Sequence, residues 1–355
     1  MLRGDSVPSF KHDRVTPAQI IILGFLLLIF TGAVLLMLPF STQEPGGASF
    51  GDALFTATSA TCVTGLVLHD TALYWSPFGQ LVILLLIQVG GMGVVTIAVA
   101  IFMFAGKRIG LKQRWVMQES ISAPQVGGIV RMTGFILKTA FLIEGIGALL
   151  LALRFCPQFG LGRGLWYAVF HSVSAFCNAG FDLMGVNSPF SSLTDYVGDP
   201  LVSNVIAFLI IIGGVGFLTW NDIREHKLHF RRYRLQSKLI LTTTLALILT
   251  GLLFFLLYEF EQGQWVDMSL WERINAAFFQ SVTPRTAGFN TVDLTGLSQP
   301  AQLLIILLML VGGSPGSTAG GFKTTTLAVM LLGIRAVFRH KERPQCFGRR
   351  IADES

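Results

Sequence analysis

The chain has 355 residues, of which 52% are hydrophobic and only 13% are charged, and its formal net charge is +6. A soluble globular domain carries about 25% charged residues, so this composition excludes an ordinary soluble enzyme or binding module and predicts an integral membrane protein. The cysteines Cys62, Cys156, Cys177 and Cys346 form no Cys-x-x-Cys pair, so they indicate neither a disulfide framework nor a zinc site.

Six apolar stretches follow one another along the chain. Each of the first five is long enough for one spanning helix, because a hydrocarbon core of ~30 Å needs ~20 helical residues. The sixth is longer and is interrupted by glycines. The stretches are 17–40, 77–105, 129–155, 200–220, 239–260 and 301–338. The sequence therefore predicts an all-α integral membrane protein whose first span is not a cleavable signal peptide.

A short segment ending in glycine recurs once in each third of the chain. Every copy places a Phe ten positions before the Gly, and Leu or Phe follows that Gly. The pairs are Phe55–Gly65, Phe170–Gly180 and Phe278–Gly288. Repetition in a fixed frame indicates one architectural unit used several times. We predict three helix–pore loop–helix units, at 1–115, 116–234 and 235–342, followed by a tail at 343–355.

The positive charges predict the orientation in the membrane. Most of the 26 Lys and Arg residues fall in four segments that share one side if the N-terminus is inside, and acidic residues favour the other side. Basic loops stay in the cytoplasm, so both termini are predicted inside and the three glycine loops outside. The basic excess is then a topology signal, and no nucleic-acid partner is expected.

Each glycine loop follows a helical segment too short to cross a membrane. Ser49-x-x-Asp52 and Ser269-x-x-Glu272 resemble capping boxes that begin such helices, whereas the middle copy has no such cap. A half-helix entering from outside directs the negative end of its dipole toward the loop that follows. This arrangement favours a dehydrated cation.

The three loops are predicted to form a cation filter from backbone carbonyl groups. Irregular backbone at membrane depth occurs only where it is buried in protein or lines a wet cavity, and its carbonyls can replace the hydration shell of an ion. A glycine-capped outer turn would explain one copy but not three. The predicted filter residues are Thr61, Cys62, Val63, Thr64, Gly65, Phe176, Cys177, Asn178, Ala179, Gly180, Pro284, Arg285, Thr286, Ala287 and Gly288.

A second glycine pattern lies within the second span of each unit. For Gly90–Gly93 and Gly213–Gly216 we expect close helix packing by small residues. The third copy is too rich in glycine, and contains a proline, to remain an ordinary helix. It predicts a loop within the membrane that gates the filter from below. The gate residues are Gly312, Gly313, Ser314, Pro315, Gly316, Ser317, Thr318, Ala319, Gly320, Gly321 and Lys323.

A nucleotide-binding P-loop does not fit the same glycines, since Phe322 stands where lysine is required and no β-strand precedes the segment.

Lys323 either caps nearby carbonyls or snorkels, or it controls cation passage electrostatically. Glu144, the lone acid inside a span, is expected to have a structural partner on a neighbouring helix. Arg285 is expected to point away from the ion path and to brace its loop through an outer carboxylate.

The segment Thr283-Pro-Arg-Thr-Ala-Gly-Phe-Asn-Thr291 and the glycine-rich run 312–321 resemble the Trk/Ktr/HKT potassium transporter superfamily, in particular the ion-translocating subunit of bacterial Ktr systems. The resemblance implies four pseudo-symmetric units around one potassium pathway, with filter glycines at Gly65, Gly180 and Gly288. It also implies homodimers with one pore per subunit and a cytosolic nucleotide-binding regulatory ring. Three units are recognisable here, so activity is expected to require a fourth.

The sequence thus predicts potassium uptake, or symport, across the cytoplasmic membrane, with membrane lipid around the protein and no cofactor bound by the chain. Potassium is favoured over sodium because, in plant relatives, serine at the first filter glycine accompanies sodium transport. The alternative is a secondary transporter whose broken helices bind sodium or another small solute. That function requires paired acids within the spans, and only Glu144 is available. No nucleophile–base pair or metal cluster indicates an enzyme.

Overall fold

The computed structural model describes residues 16–104, 110–121, 127–227, 229–340 and 345–350. The four basic segments predicted to lie inside include Arg3, Lys11, Arg14, Lys107, Arg108, Lys341 and Arg343, and these residues lie outside the described ranges, as do the last residues of the predicted tail. We call the end of the fold that carries the predicted outer loops the outer end, and the opposite end the inner end.

The described residues are mainly helical, as the composition predicts. The helices are α1 Pro17–Leu36, α2 Phe50–Cys62, α3 Thr71–Tyr74, α4 Pro77–Met92, α5 Val94–Phe104, α6 Leu111–Ser120, α7 Ile129–Phe159, α8 Leu161–Phe176, α9 Pro200–Val215, α10 Phe217–His226, α11 Leu235–Phe254, α12 Leu270–Val282, α13 Gln299–Leu310 and α14 Thr324–Phe338. One short antiparallel hairpin, β1 Gln345–Cys346 and β2 Arg349–Arg350, follows α14.

Among the described residues, three helices are long and apolar enough to cross a membrane by themselves: α1, α7 and α11, the last extended by a π-helical turn to Glu259. Large side chains on these helices face outward, among them Leu27, Leu149 and Leu257. Exposed leucines on long apolar helices are suited to contact with lipid acyl chains. The chain is therefore a multi-pass membrane protein.

The second and fourth predicted spans are broken rather than continuous. α4 ends and α5 begins on either side of Gly93, which has a φ of +84°. α9 and α10 meet at Gly216, with a φ of +95°, and are bent by 95°. Glycine ends a helix by entering this conformation without a Cβ penalty. The predicted interruption of the sixth stretch is confirmed, since residues between α13 and α14 are not helical.

The three short helices α2, α8 and α12 begin as the sequence predicts. Ser49 caps α2 by accepting a hydrogen bond from the amide of Asp52. Ser269 and Glu272 form a complete capping box on α12. α8 begins without a side-chain cap. These helices have 13, 16 and 13 residues, so each is too short to span a membrane. All three end at the predicted filter.

Candidate functional site

The three predicted filter segments, 61–65, 176–180 and 284–288, share one backbone conformation. In each, a non-glycine residue with positive φ stands two positions before a glycine with positive φ. The pairs are Val63 (57°) with Gly65 (76°), Asn178 (58°) with Gly180 (71°) and Thr286 (64°) with Gly288 (83°). Positive φ is uncommon outside glycine, so three copies indicate a common template.

Helices continue further into two of the segments than predicted. Thr61 and Cys62 form the end of α2, and Phe176 ends α8. Cys177 caps α8, while Pro284 and Arg285 lie in the turn after α12. The irregular backbone that can face an ion is therefore shorter than the predicted ranges.

Each filter segment folds back onto its own short helix through two recurring hydrogen bonds. A hydroxyl donates to the carbonyl of the residue after the glycine. The amide of the residue before the glycine donates to a carbonyl in the short helix or, in the third segment, to that of Thr283 directly after it. The hydroxyl bonds are Ser59 to Leu66 (2.7 Å), Ser174 to Phe181 (2.6 Å) and Thr283 to Phe289 (2.5 Å). The amide bonds are Thr64 to Ser59 (2.9 Å), Ala179 to Ser174 (2.8 Å) and Ala287 to Thr283 (3.0 Å).

The carbonyl oxygens of Thr64, Ala179 and Ala287 accept no hydrogen bond from any described residue. Ala179 and Ala287 are buried, whereas Thr64 is exposed, and buried carbonyl groups are ordinarily paired. Three free carbonyls at equivalent positions, each beside the end of a short helix, are what a site for a dehydrated cation requires.

The filter glycines lie against one another in chain order. A Cβ atom on Gly65 would lie 2.6 Å from the carbonyl oxygen of Ala179, and one on Gly180 would lie 2.6 Å from that of Ala287. The nearest neighbour of such an atom on Gly288 is the Cα of Gly180, at 3.2 Å. The three segments therefore form a continuous arc.

Two cavities adjoin the arc. The outer one, about 470 Å³, lies between the first and third filter segments and is lined by Thr64, Gln280 and Thr286 among others. The inner one, about 560 Å³, lies beneath the first segment and is lined by Gly93 and Glu119 among others. Cys62, Val63 and Gly320 line both cavities. The glycine-rich loop thus stands between an outer and an inner space.

The loop 312–321 is attached by its backbone to the break between α9 and α10. The amide of Ser314 donates to the carbonyl of Gly214 at 3.0 Å, and the amide of Phe217 donates to Gly316 at 2.8 Å. A Cβ on Gly213 would lie 2.0 Å from the carbonyl oxygen of Phe176. The close packing predicted for Gly213 is therefore present, but Gly213 packs against Phe176 at the start of the second filter segment.

Two side chains join this loop to the filter itself. The hydroxyl of Thr318 lies 2.9 Å from the carbonyl oxygen of Phe176 and 3.0 Å from Oδ1 of Asn178. The guanidinium of Arg285 donates to the carbonyl of Gly312 at 3.3 Å and lies 3.5 Å from the hydroxyl of Thr244 on α11. The second and third filter segments are thereby bonded to the loop.

The hydrogen-bond partners of the charged side chains within the membrane agree only in part with those predicted from the sequence. Arg285 points away from the other filter glycines, but its described partners are Gly312 and Thr244 and include no carboxylate. Lys323 caps a carbonyl, that of Ala319, at 2.9 Å. Glu144 has the expected partner on a neighbouring helix, although it is the neutral amide of Gln88, at 3.0 Å.

Sequence reasoning missed residues just outside the filter. Two positions after the filter glycines stand Val67, Asp182 and Asn290. Asp182 and Asn290 are polar and stand at the same distance from their filter glycines, and this repetition could have identified them from the sequence. A third missed residue, Ser192, accepts a hydrogen bond from the amide of Asn290, and its separation in sequence hides it from any motif search.

Comparison with known proteins places these features in a family. The profile of the TrkH family, described as cation transport protein, matches residues 7–354. The chain is 42% identical over 340 residues to the potassium/sodium uptake protein NtpJ of Enterococcus hirae, covering 96% of this chain and 74% of that protein. It is 43% identical over 342 residues to the Ktr system potassium uptake protein B of Bacillus subtilis, covering 96% and 75%.

The fold also resembles a solved membrane transporter. The crystal structure of the potassium transporter TrkH from Vibrio parahaemolyticus superposes with a TM-score of 0.67 at 20% sequence identity. The match covers 93% of this chain and 64% of that one, so the chain spans just under two thirds of the solved transporter.

Proposed function

This chain belongs to the TrkH family of cation transport proteins, and we propose that it takes up potassium across the cytoplasmic membrane, with sodium as a second cation. The observation that carries the proposal is the arc of filter glycines with three carbonyls that accept no hydrogen bond from any described residue. The printed names of the similar proteins, potassium/sodium uptake and potassium uptake, support the choice of ions.

In this proposal the protein lowers the cost of dehydrating the ion. The carbonyls of Thr64, Ala179 and Ala287 replace hydration water, and the C-terminal ends of α2, α8 and α12 add negative potential at the same place. The bonds from each segment to its own helix hold the carbonyls in position, so an ion enters a site that is already formed.

The glycine-rich loop acts as the gate. It lies between the outer and inner cavities, and its displacement would join them. Small residues let the loop move with little steric resistance, while its bonds to Gly214, Phe176 and Arg285 favour its present position.

We further propose that the chain is oriented with both described ends in the cytoplasm and assembles as a homodimer controlled by a cytosolic nucleotide-binding subunit. The distribution of Lys and Arg supports the orientation. The resemblance to Ktr systems supports the assembly.

Transport is tested in bacteria that lack their own potassium uptake systems and express this chain together with a fourth helix–pore loop–helix unit, which activity is expected to require. We expect growth at low potassium and uptake of rubidium, a potassium congener, faster than uptake of sodium. The three filter segments differ in side chains but agree in backbone, so selectivity should survive Val63→Ala. Membrane-inserted protein that moves neither ion above background would refute the proposal.

The gate should open more readily when the Thr318 hydroxyl is removed. Thr318→Val keeps the side-chain volume but loses the bond to the filter, so rubidium uptake should rise by about threefold to tenfold, as expected for one lost buried hydrogen bond. Thr318→Ser should restore the original rate. Ser317→Ala is the matched control, because its hydroxyl bonds only within the loop. Equal rates in Thr318→Val and the parent would remove the gating role of this contact.

A further inference from the structure

The outer segment 190–193, which we call the outer clamp, contacts the chain leaving all three filter segments. It lies between two 3-10 turns, Met184–Val186 and Thr194–Tyr196. Its contacts connect parts of the chain that are far apart in sequence. No recurring motif points to it.

The first contact joins the outer clamp to the chain after the first filter segment. The amide of Phe190 donates to Oδ2 of Asp70 at 2.8 Å, while Oδ1 of Asp70 caps α3. The carboxylate lies so close to Gly185 that a Cβ there would be 2.0 Å from Oδ2. Asp70 is therefore held on both sides and fixes one end of the clamp.

The second and third contacts join the outer clamp, which is itself part of the chain leaving the second filter segment, to Asn290. The hydroxyl oxygen of Ser192 accepts the amide of Asn290, two residues after Gly288, at 3.1 Å. The amide of Leu193 donates to the carbonyl of Asn290 at 2.8 Å. Two hydrogen bonds thus attach the outer end of the third filter segment to the outer clamp.

The backbone of the outer clamp is strained. Phe190 and Ser192 have φ values of 59° and 51° without being glycine. Such conformations persist only where the surroundings over-determine them, and they concentrate at functional sites. The hydrogen bonds to Asp70 and Asn290 hold this conformation in place.

We infer that the outer clamp sets the spacing of the three filter segments, with Ser192 as the positioning residue. The inference rests on the proposed function, because it assigns selectivity to those segments. Ser192 does not touch the ion; it acts by holding Asn290 against the chain that leaves the second filter segment. A change in this contact moves the carbonyls of Ala179 and Ala287 relative to each other.

The test compares Ser192→Ala with Ser191→Ala, whose lost hydroxyl bonds only to Met184 within the same loop. We measure rubidium and sodium uptake and the amount of protein in the membrane. Ser192→Ala should lower the rubidium/sodium ratio by about tenfold, the scale of a lost buried hydrogen bond. Ser191→Ala should leave the ratio unchanged.

The rubidium/sodium ratio separates positioning from general damage, because a loss of folded protein lowers both uptake rates together and leaves their ratio unchanged. If Ser192→Ala fails to reach the membrane, Ser192→Gly, which relieves the strain, should reach it and show the same loss. A selective parent whose Ser192 variants keep the parental ratio overturns the outer clamp. A parent that transports neither ion overturns the proposed function instead.

Discussion

A Gly180→Ala protein should reach the membrane and lose selective potassium uptake, with the initial rate of rubidium entry falling by about a hundredfold. The conformation alone costs about 1–2 kcal/mol, because Gly180 has a φ of +71°. The new methyl group would also lie 2.6 Å from the carbonyl oxygen of Ala287 and 3.0 Å from the Cα of Gly288. Both are backbone atoms, so relief requires movement of the third filter segment.

Gly65→Ser tests the same geometry at the first segment. Its Cβ would meet the carbonyl oxygen of Ala179 at 2.6 Å, and the rubidium/sodium ratio should fall. Gly128→Ala is the matched control, because Gly128 is in the left-handed conformation with a φ of +77° but has open space around it. That variant carries the conformational strain without the collision and should retain the parental ratio. A selective Gly180→Ala protein would contradict the assignment of the filter.

Arg285→Met should lower rubidium uptake by more than about tenfold with little loss of folded protein. A buried cation is costly to desolvate, and replacing such a group by an apolar one is often neutral for stability. The bonds from Arg285 to Thr244 and Gly312 disappear, however, so the third filter segment loses its connection to α11 and to the gate. Arg285→Lys should restore part of the uptake, because both bonds come from the single nitrogen Nη2 and an ammonium group carries three donors.

Arg273→Met is the comparison for this experiment. Arg273 also donates to backbone carbonyls, those of Met268, Phe260 and Val266, but away from the filter. Its loss should reduce thermal stability in detergent while leaving the rubidium/sodium ratio intact. The opposite pattern, with Arg273→Met altering selectivity and Arg285→Met altering only stability, would show that Arg285 is a structural residue rather than a link between filter and gate.

The sequence alone determined the features that depend on local chemistry. Low charge and long apolar stretches predicted a helical membrane protein, and comparison with known proteins confirmed the family that the residues around Thr283 and Gly312 resemble. Ser269 and Glu272 predicted a helix start because a cap requires only nearby residues. The interruption after α13 was equally local, since clustered glycines and a proline cannot sustain a helix. The three-unit division and the gating role stay predictions.

Only the tertiary structure decided which distant groups meet. Glycines that pack closely and glycines that break a helix look alike in sequence, so the breaks at Gly93 and Gly216 were not predicted. Thr318 bonds to a carbonyl 142 residues away, and Arg285 to one 27 residues away. Ser192 lies 98 residues from the amide that it accepts. The choice among possible partners at such separations depends on how the helices pack, which no local pattern of residues records.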